Sequence, residues 1–298
     1  MKIDKWISEN TASLCGKNVA ITGSTGGIGK ELSLYLAALG ASLILLDRNK
    51  ERSEKNKEAI LYKYPDSSVS ILTVDLSDPD SVSSTTEALK KMSVDVFIHN
   101  AGAYSIPRNI TKLSLDNVYT INFASPYYMI RELLPTLRER GGQVVAVSSI
   151  AHNYSKINEK DIDFSKVKSA AKVYGNAKRY LTYALFELFK GEKSAKLSIT
   201  HPGITFTNIT AHYPKLIFAI IKHPMKIIFM KPRVAALSIL KGVFTETEYK
   251  SWIGPRIFNI WGKPKKQRLK TSKPEEIKRI AEISERVYRD YKKYCKNQ

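Results

Sequence analysis

Short runs of apolar and β-branched residues alternate along this chain with longer stretches whose apolar positions recur at helical spacing. The short runs lie at 18–22, 42–47, 69–74, 94–99, 143–148 and 196–200, and a seventh strand is predicted near 256–260. The helical patterns lie near 27–39, 50–64, 80–92, 115–140, 170–190 and 233–244. Strands that are apolar throughout belong to a sheet covered on both faces, and strand–helix alternation builds a parallel sheet through right-handed crossovers. The pattern therefore predicts an α/β fold, a doubly wound parallel sheet of about seven strands with helices on both faces.

Two segments interrupt the alternation. Residues 151–169 form a polar insertion after the fifth strand, and residues 205–231 hold two apolar clusters, 216–221 and 227–230, split by Lys222-His223-Pro224. Loops at the carboxyl ends of strands surround the ligand crevice of such sheets. The second segment is thus expected to be a substrate lid, and its apolar content points to a lipophilic substrate. Packing on the core or on an oligomer partner is an equal alternative. Contact with a membrane surface is a third, favoured by Lys215, Lys222, Lys226 and Lys231. The expected division is an N-terminal extension at 1–16, one domain at 17–262 and a basic helical tail at 263–298.

Charge adds one question. The 298 residues hold 48 Lys and Arg against 28 Asp and Glu, a net charge of +20. Part of the excess sits in the tail, whose Ile277, Ile280, Ile283, Val287, Tyr288, Tyr291 and Tyr294 recur at helical spacing, so one face is expected to dock. A solvated helix is the plain reading of the tail, and an anionic membrane or nucleic acid the alternative partners, nucleic acid the less expected. Cys15 and Cys295 are far apart and fit neither a disulfide framework nor a metal site. Residues 1–16 lack the apolar core of a signal peptide. A reducing cytoplasm is the expected compartment, with peripheral membrane contact as an addition.

The chemistry begins at the first strand–helix junction. Gly23, Ser24, Thr25, Gly27, Ile28 and Gly29 form a glycine-rich turn that opens a helix. Glycine permits close approach of backbone to a pyrophosphate, and the helix N-terminus offers unpaired N–H groups to that anion. Asp47 ends the second strand, about 20 residues on, where a carboxylate would take the ribose 2′-hydroxyl of NAD. Arg48 follows, and an arginine there could instead pair with the 2′-phosphate of NADP, so NAD is favoured and NADP left open. Tyr174 and Lys178 lie one turn apart on one helix face, a proton donor with a cation beside it. A dinucleotide site with a proton donor reads as hydride transfer to a carbonyl or from an alcohol.

In their order, these residues resemble the short-chain dehydrogenase/reductase family of the classical, single-domain Rossmann type. The resemblance runs from about Lys17 to Lys241 and rests on ordered motifs. Thr22 to Gly29 resembles its glycine turn, and His99-Asn100-Ala101-Gly102 its Asn-Asn-Ala-Gly motif with histidine in the first place. Asn122 matches the active-site asparagine, Ser149 the active-site serine, and Tyr174 with Lys178 the Tyr-x-x-x-Lys pair. The resemblance implies cofactor contacts from Asp75 and Leu76 to adenine, from Asn100, Ala101 and Gly102, and from Pro202, Gly203, Ile204 and Thr207 near the nicotinamide. The 25-residue gap from Ser149 to Tyr174, with His152 and His201, resembles the retinol-dehydrogenase-like branch, which handles retinoid, steroid or other lipid-like alcohols and carbonyls.

In that scheme Tyr174 is the general acid/base, and Lys178 favours its phenolate and holds the nicotinamide ribose. Ser149 hydrogen-bonds the substrate oxygen, and Asn122 fixes the backbone and a proton-relaying water. The resemblance also implies a homodimer or homotetramer. A non-catalytic NAD(P)-binding regulator and a basic membrane-surface or nucleic-acid binder are the alternative functions.

Overall fold

The computed structural model describes residues 2–205, 229–269 and 273–297. Most of the lid candidate, with Thr207, lies outside the described residues. An eight-stranded sheet forms the centre, in the order β3-β2-β1-β4-β5-β6-β7-β8. Its strands are β1 (Asn18–Thr22), β2 (Ser42–Asp47), β3 (Val69–Thr73), β4 (Val96–His99), β5 (Gln143–Val147), β6 (Lys196–Thr200), β7 (Ser251–Ile257) and β8 (Trp261–Arg268). Strands β1 to β7 pair in parallel and β8 antiparallel to β7.

The twofold alternation of strand side chains divides the core into two layers. Ala20, Ile44, Phe97, Val144 and Ala146 face one side, under α4 (Pro79–Lys90), α6 (Ser125–Glu139), α7 (Ala170–Leu188) and α9 (Pro274–Lys296). Val19, Ile21, Leu43, Leu45, Ile98 and Val145 face the other, under α2 (Gly27–Ala38), α3 (Lys50–Lys63) and α8 (Pro232–Phe244). The N-terminal α1 (Ile3–Asn10), which the sequence pattern does not reveal, buries Trp6 in this second layer. The chain runs from β1 outward to β3, then crosses to β4 on the other side of β1. That reversal opens a crevice at the carboxyl ends of β1 and β4.

Three expectations need correction. The seventh strand lies at Ser251–Ile257, not 256–260, because Phe258 and Asn259 take positive φ (50° and 59°) and turn the chain into a hairpin. The eighth strand falls where the tail was expected to be helical, and α9 starts only at Pro274. Lys263, Pro264, Lys265 and Lys266 make β8 look unlike a strand, yet such residues suit an exposed sheet edge, where they block pairing with another chain. Finally, the single helix expected at 115–140 is broken. Asp116 caps the short α5 (Asn117–Tyr119), a π-helical turn follows at Thr120–Ala124, and α6 begins beside Pro126, which has no N–H for the helical ladder.

Helix α9 buries Ile277, Ile280, Ile283, Val287 and Tyr291 against α4, α6 and α7. Tyr291 stacks on Tyr128 at 4.3 Å between ring centroids. The insertion after β5 is tied down by polar contacts, with Asp116 and Asp163 buried and Arg108 at the surface. Arg108 pairs with Asp116 at 2.8 Å and donates to the carbonyls of Phe164 and Val167, while Asp163 accepts from the Asp116 N–H at 2.7 Å. Among the described residues no helix is long and apolar enough to cross a membrane.

Candidate active site

The glycine turn closes tightly over the end of β1. A Cβ on Gly29 would lie 2.1 Å from the Gly23 carbonyl oxygen, and one on Gly23 would lie 2.9 Å from Ala101 Cα. Gly23 also has a φ of 71°, so both its conformation and its contact demand glycine. Helix α2 then starts at Gly27, and its N-cap, Gly26, has no side chain to satisfy the first N–H groups. Those donors, with Ile28 packed beneath, make a cradle fit for a pyrophosphate. Asn100 staples this turn to β4. Its amide donates to the carbonyls of Thr22 and Gly23, each at 3.0 Å.

Asp47 ends β2 beside the glycine turn. It is buried, and both carboxylate oxygens are engaged by the protein itself. Thr25 donates its N–H and its hydroxyl to Oδ1 at 3.0 Å, while Ser24 and Ser53 donate to Oδ2. The carboxylate therefore braces the glycine turn, and Arg48 beside it is exposed. Asp75 is half-buried, with Oδ1 accepting from the N–H and hydroxyl of Ser77, and Leu76 is anchored by a Ser125 hydroxyl bond to its carbonyl.

Ser149 follows β5 as N-cap of a 3-10 turn (Ile150–Tyr154), its hydroxyl accepting from the Ala151 N–H at 3.2 Å. Tyr174, on the first turns of α7, stands next to the Ser149 hydroxyl. Burial pushes its phenol up to about 12, against the lowering effect of the Ser149 hydroxyl. The Tyr104 ring meets Tyr174 edge-on at 5.4 Å. Lys178 Nζ lies 5.7 Å from the centroid of the Tyr174 ring. Burial drives the Lys178 amine down to about 7, and its ammonium donates to the Val147 carbonyl at 2.9 Å. Among the described residues that is its one acceptor, and a lysine carries three donors.

Asn122 sits in the π-helical turn and not in a regular helix. Its amide donates to the carbonyls of Val118 and Ala103, both at 2.8 Å, and accepts from the Ala103 N–H. A Cβ on Gly102 would lie 3.0 Å from Asn122 Oδ1 and 3.7 Å from Lys178 Nζ, so these three positions converge. Pro202, Gly203 and Ile204 follow β6. Gly203 has a φ of 83° and is crowded by the Ile260 carbonyl and Met230, while the Ile204 carbonyl accepts from Met230.

His99, in the motif's first position, is fully buried with Nδ1 3.3 Å from the Thr22 hydroxyl, and burial pushes its imidazole well down. His152 and His201 flank Trp252. His201 stacks on the indole at 4.9 Å and His152 meets it edge-on at 5.3 Å. Burial pushes both imidazoles down to about 4, so both are neutral near pH 7. Sequence reasoning overlooked Arg179, although it directly follows Lys178, and Glu276 in the tail; buried Arg179 pairs with half-buried Glu276 at 2.6 Å. Among the described residues no group of three or more His, Cys, Asp or Glu side chains could hold a metal ion.

The model of the short chain dehydrogenase family matches residues 17–212. The chain belongs to the short-chain dehydrogenase family. Within it, an uncharacterized oxidoreductase of Schizosaccharomyces pombe is 32% identical over 225 residues, covering 70% of this chain and 66% of that one. Retinol dehydrogenase 12 of Mus musculus is 30% identical over 202 residues, 65% of this chain and 63% of that one. Polyprenol dehydrogenase of Homo sapiens is 28% identical over 203 residues, 64% and 62%. This short-chain dehydrogenase thus spans less than two thirds of the length of these relatives. Its fold is also that of an uncharacterized protein from Mycobacterium paratuberculosis, with a TM-score of 0.73 at 22% identity over 95% of this chain and 97% of that one. A short-chain dehydrogenase from Sphingobium yanoikuyae in complex with NADPH aligns with a TM-score of 0.54 at 21% identity, over 65% and 74%.

Proposed function

We propose that this chain is an NAD(P)-dependent oxidoreductase that interconverts a lipophilic carbonyl compound and its alcohol, with Tyr174 as general acid/base. The observation that carries the reading is the Tyr174 phenol, next to the Ser149 hydroxyl and backed by Lys178, beside the glycine-turn crevice. The uncapped N-terminus of α2 and the close Gly23–Ala101 approach would hold the pyrophosphate, and the spare donors of Lys178 would hold ribose hydroxyls. When bound, the nicotinamide cofactor supplies or accepts the hydride. The Ser149 hydroxyl would hydrogen-bond the substrate oxygen, and Tyr174 would give that oxygen its proton on reduction or take it on oxidation. Asn122 holds the 102–103 backbone that faces Lys178.

The lipophilic substrate is supported by the names of two relatives, a polyprenol dehydrogenase and a retinol dehydrogenase. A peripheral membrane contact fits the same reading. Phe258, 83% exposed, and Ile257 tip the β7–β8 hairpin next to Arg256 and Lys263, and cosedimentation with anionic vesicles would report it. The engagement of Asp47 and the exposure of Arg48 favour NADP over the NAD expected from sequence. Fluorescence titration tests this directly. NADPH should bind at least about tenfold more tightly than NADH, and Arg48→Gln should narrow the gap. Tighter binding of NADH would return the choice to Asp47, and a folded protein that binds neither would overturn the enzyme reading.

A further inference from the structure

Helix α9 reaches the candidate active site through a chain of polar contacts that its apolar docking face does not require. Glu276, in its first turn, grips Arg179 with both carboxylate oxygens, Nε to Oε1 at 2.9 Å and Nη2 to Oε2 at 2.6 Å. Arg179 is 4% exposed and follows Lys178 on α7. Its Nη1 donates to the backbone carbonyl of His152 at 2.9 Å. The His152 ring turns back on the same turn, with Nδ1 2.6 Å from the Ser149 carbonyl oxygen. A carbonyl only accepts, so Nδ1 carries the proton. The three groups thus fix both ends of the residue 149–152 turn, whose first member presents its hydroxyl to Tyr174.

Resting on the oxidoreductase reading above, we infer that Glu276 is a positioning residue for the Ser149 hydroxyl, acting through Arg179 and His152. The Arg279 ion pairs of α9 are of a different kind. Arg279 pairs with Glu159 and Glu282 among half-exposed side chains, and such pairs hold little in place. Arg179 is buried, so loss of its carboxylate partner removes the two charge-assisted bonds that aim the guanidinium at the His152 carbonyl. The His152 ring cannot swing freely, because Trp252 and Tyr183 meet it edge-on at 5.3 Å and 6.2 Å. A shift of the turn therefore moves Ser149 itself. The pyrophosphate cradle lies on α2 and β1, outside this chain of contacts, so cofactor affinity should be spared.

The test compares Glu276→Gln, Glu276→Asp and the surface control Arg279→Gln in the full chain, with NADPH affinity and steady-state carbonyl reduction measured for each. Glu276→Gln should lose about 10- to 100-fold in kcat with NADPH affinity close to wild type. Glu276→Asp should recover part of the loss, and Arg279→Gln should match wild type. Should Glu276→Gln fail to fold, His152→Phe and His152→Asn replace it. The first removes the ring donor to the Ser149 carbonyl, leaving only the His152 backbone N–H at 3.1 Å, and should lose kcat, while the second keeps an N–H near the Nδ1 position and should retain it. Wild-type kcat in Glu276→Gln or in His152→Phe, or a parallel fall of kcat and NADPH affinity, would overturn the inference. Its failure is separable from that of the functional reading. If Tyr174→Phe is inactive while Glu276→Gln is fully active, only the positioning role falls; if Tyr174→Phe keeps its turnover, the reading beneath it falls.

Discussion

Tyr174 and Lys178 share one face of α7, and burial acts on them in opposite directions. Each is pushed toward its neutral form, the phenol up to about 12 and the amine down to about 7. A phenol at about 12 stays protonated through the physiological range, which suits donation to a developing alkoxide. Accepting a proton from an alcohol needs the phenolate, whose fraction grows about tenfold for each unit that pH rises toward that value. Alcohol oxidation should therefore rise with a slope near one in log kcat/KM between about pH 7 and 9, while carbonyl reduction stays flat. Steady-state pH profiles in both directions check this, and an oxidation limb already level at pH 7 would contradict it. Much of this site was legible in the sequence, because Ser149, Tyr174 and Lys178 each sit where a strand end or one helical turn fixes their direction. Asp47 was less legible. Its neighbours Ser24, Thr25 and Ser53 are small hydroxyl residues in plain view, but only the folded turn brings all of them onto its two oxygens.

At the scale of elements, the strands that apolar runs define were readable, whereas β8 was not. A strand carrying Lys263, Lys265 and Lys266 is stabilised by pairing with β7 and not by burial, so its periodicity carries no hydrophobic signal. The π-helical turn at Thr120–Ala124 was hidden because its residues are buried and apolar enough to continue a helix. Contacts between elements were hidden as well. Gly175 lies in α7 where the 3-10 turn crosses it, and a Cβ there would lie 2.2 Å from the Ala151 carbonyl oxygen. Neither the backbone nor the buried turn has room to yield. Gly175→Ala should then cost about 1–3 kcal/mol in denaturant unfolding, despite alanine's better helix propensity. It should also lower turnover, since the displaced turn carries Ser149. A variant as stable as wild type would mean that the two elements are not in contact as described.

For the whole molecule, sheet order matters more than any single motif. The crossing from β3 to β4 puts the glycine turn, the Asn100 loop and the end of β5 along one edge, with α7 supplying Tyr174 and Lys178 from behind. The docked α9 then adds Glu276, which lies 97 residues from Arg179 in sequence, a separation no local pattern bridges. The tail's apolar spacing announced that it would dock, and only the fold revealed where. The net charge of +20 bears on surface encounters and leaves the chemistry of the edge unchanged. The central claim is that this edge transfers hydride with Tyr174 moving the proton. The most direct measurement is NADPH consumption with a long-chain aldehyde, for wild type and Tyr174→Phe under the same conditions. Wild type should turn over and Tyr174→Phe should lose about 10²- to 10⁴-fold in kcat while still binding NADPH. Turnover by Tyr174→Phe within a few-fold of wild type would contradict the account.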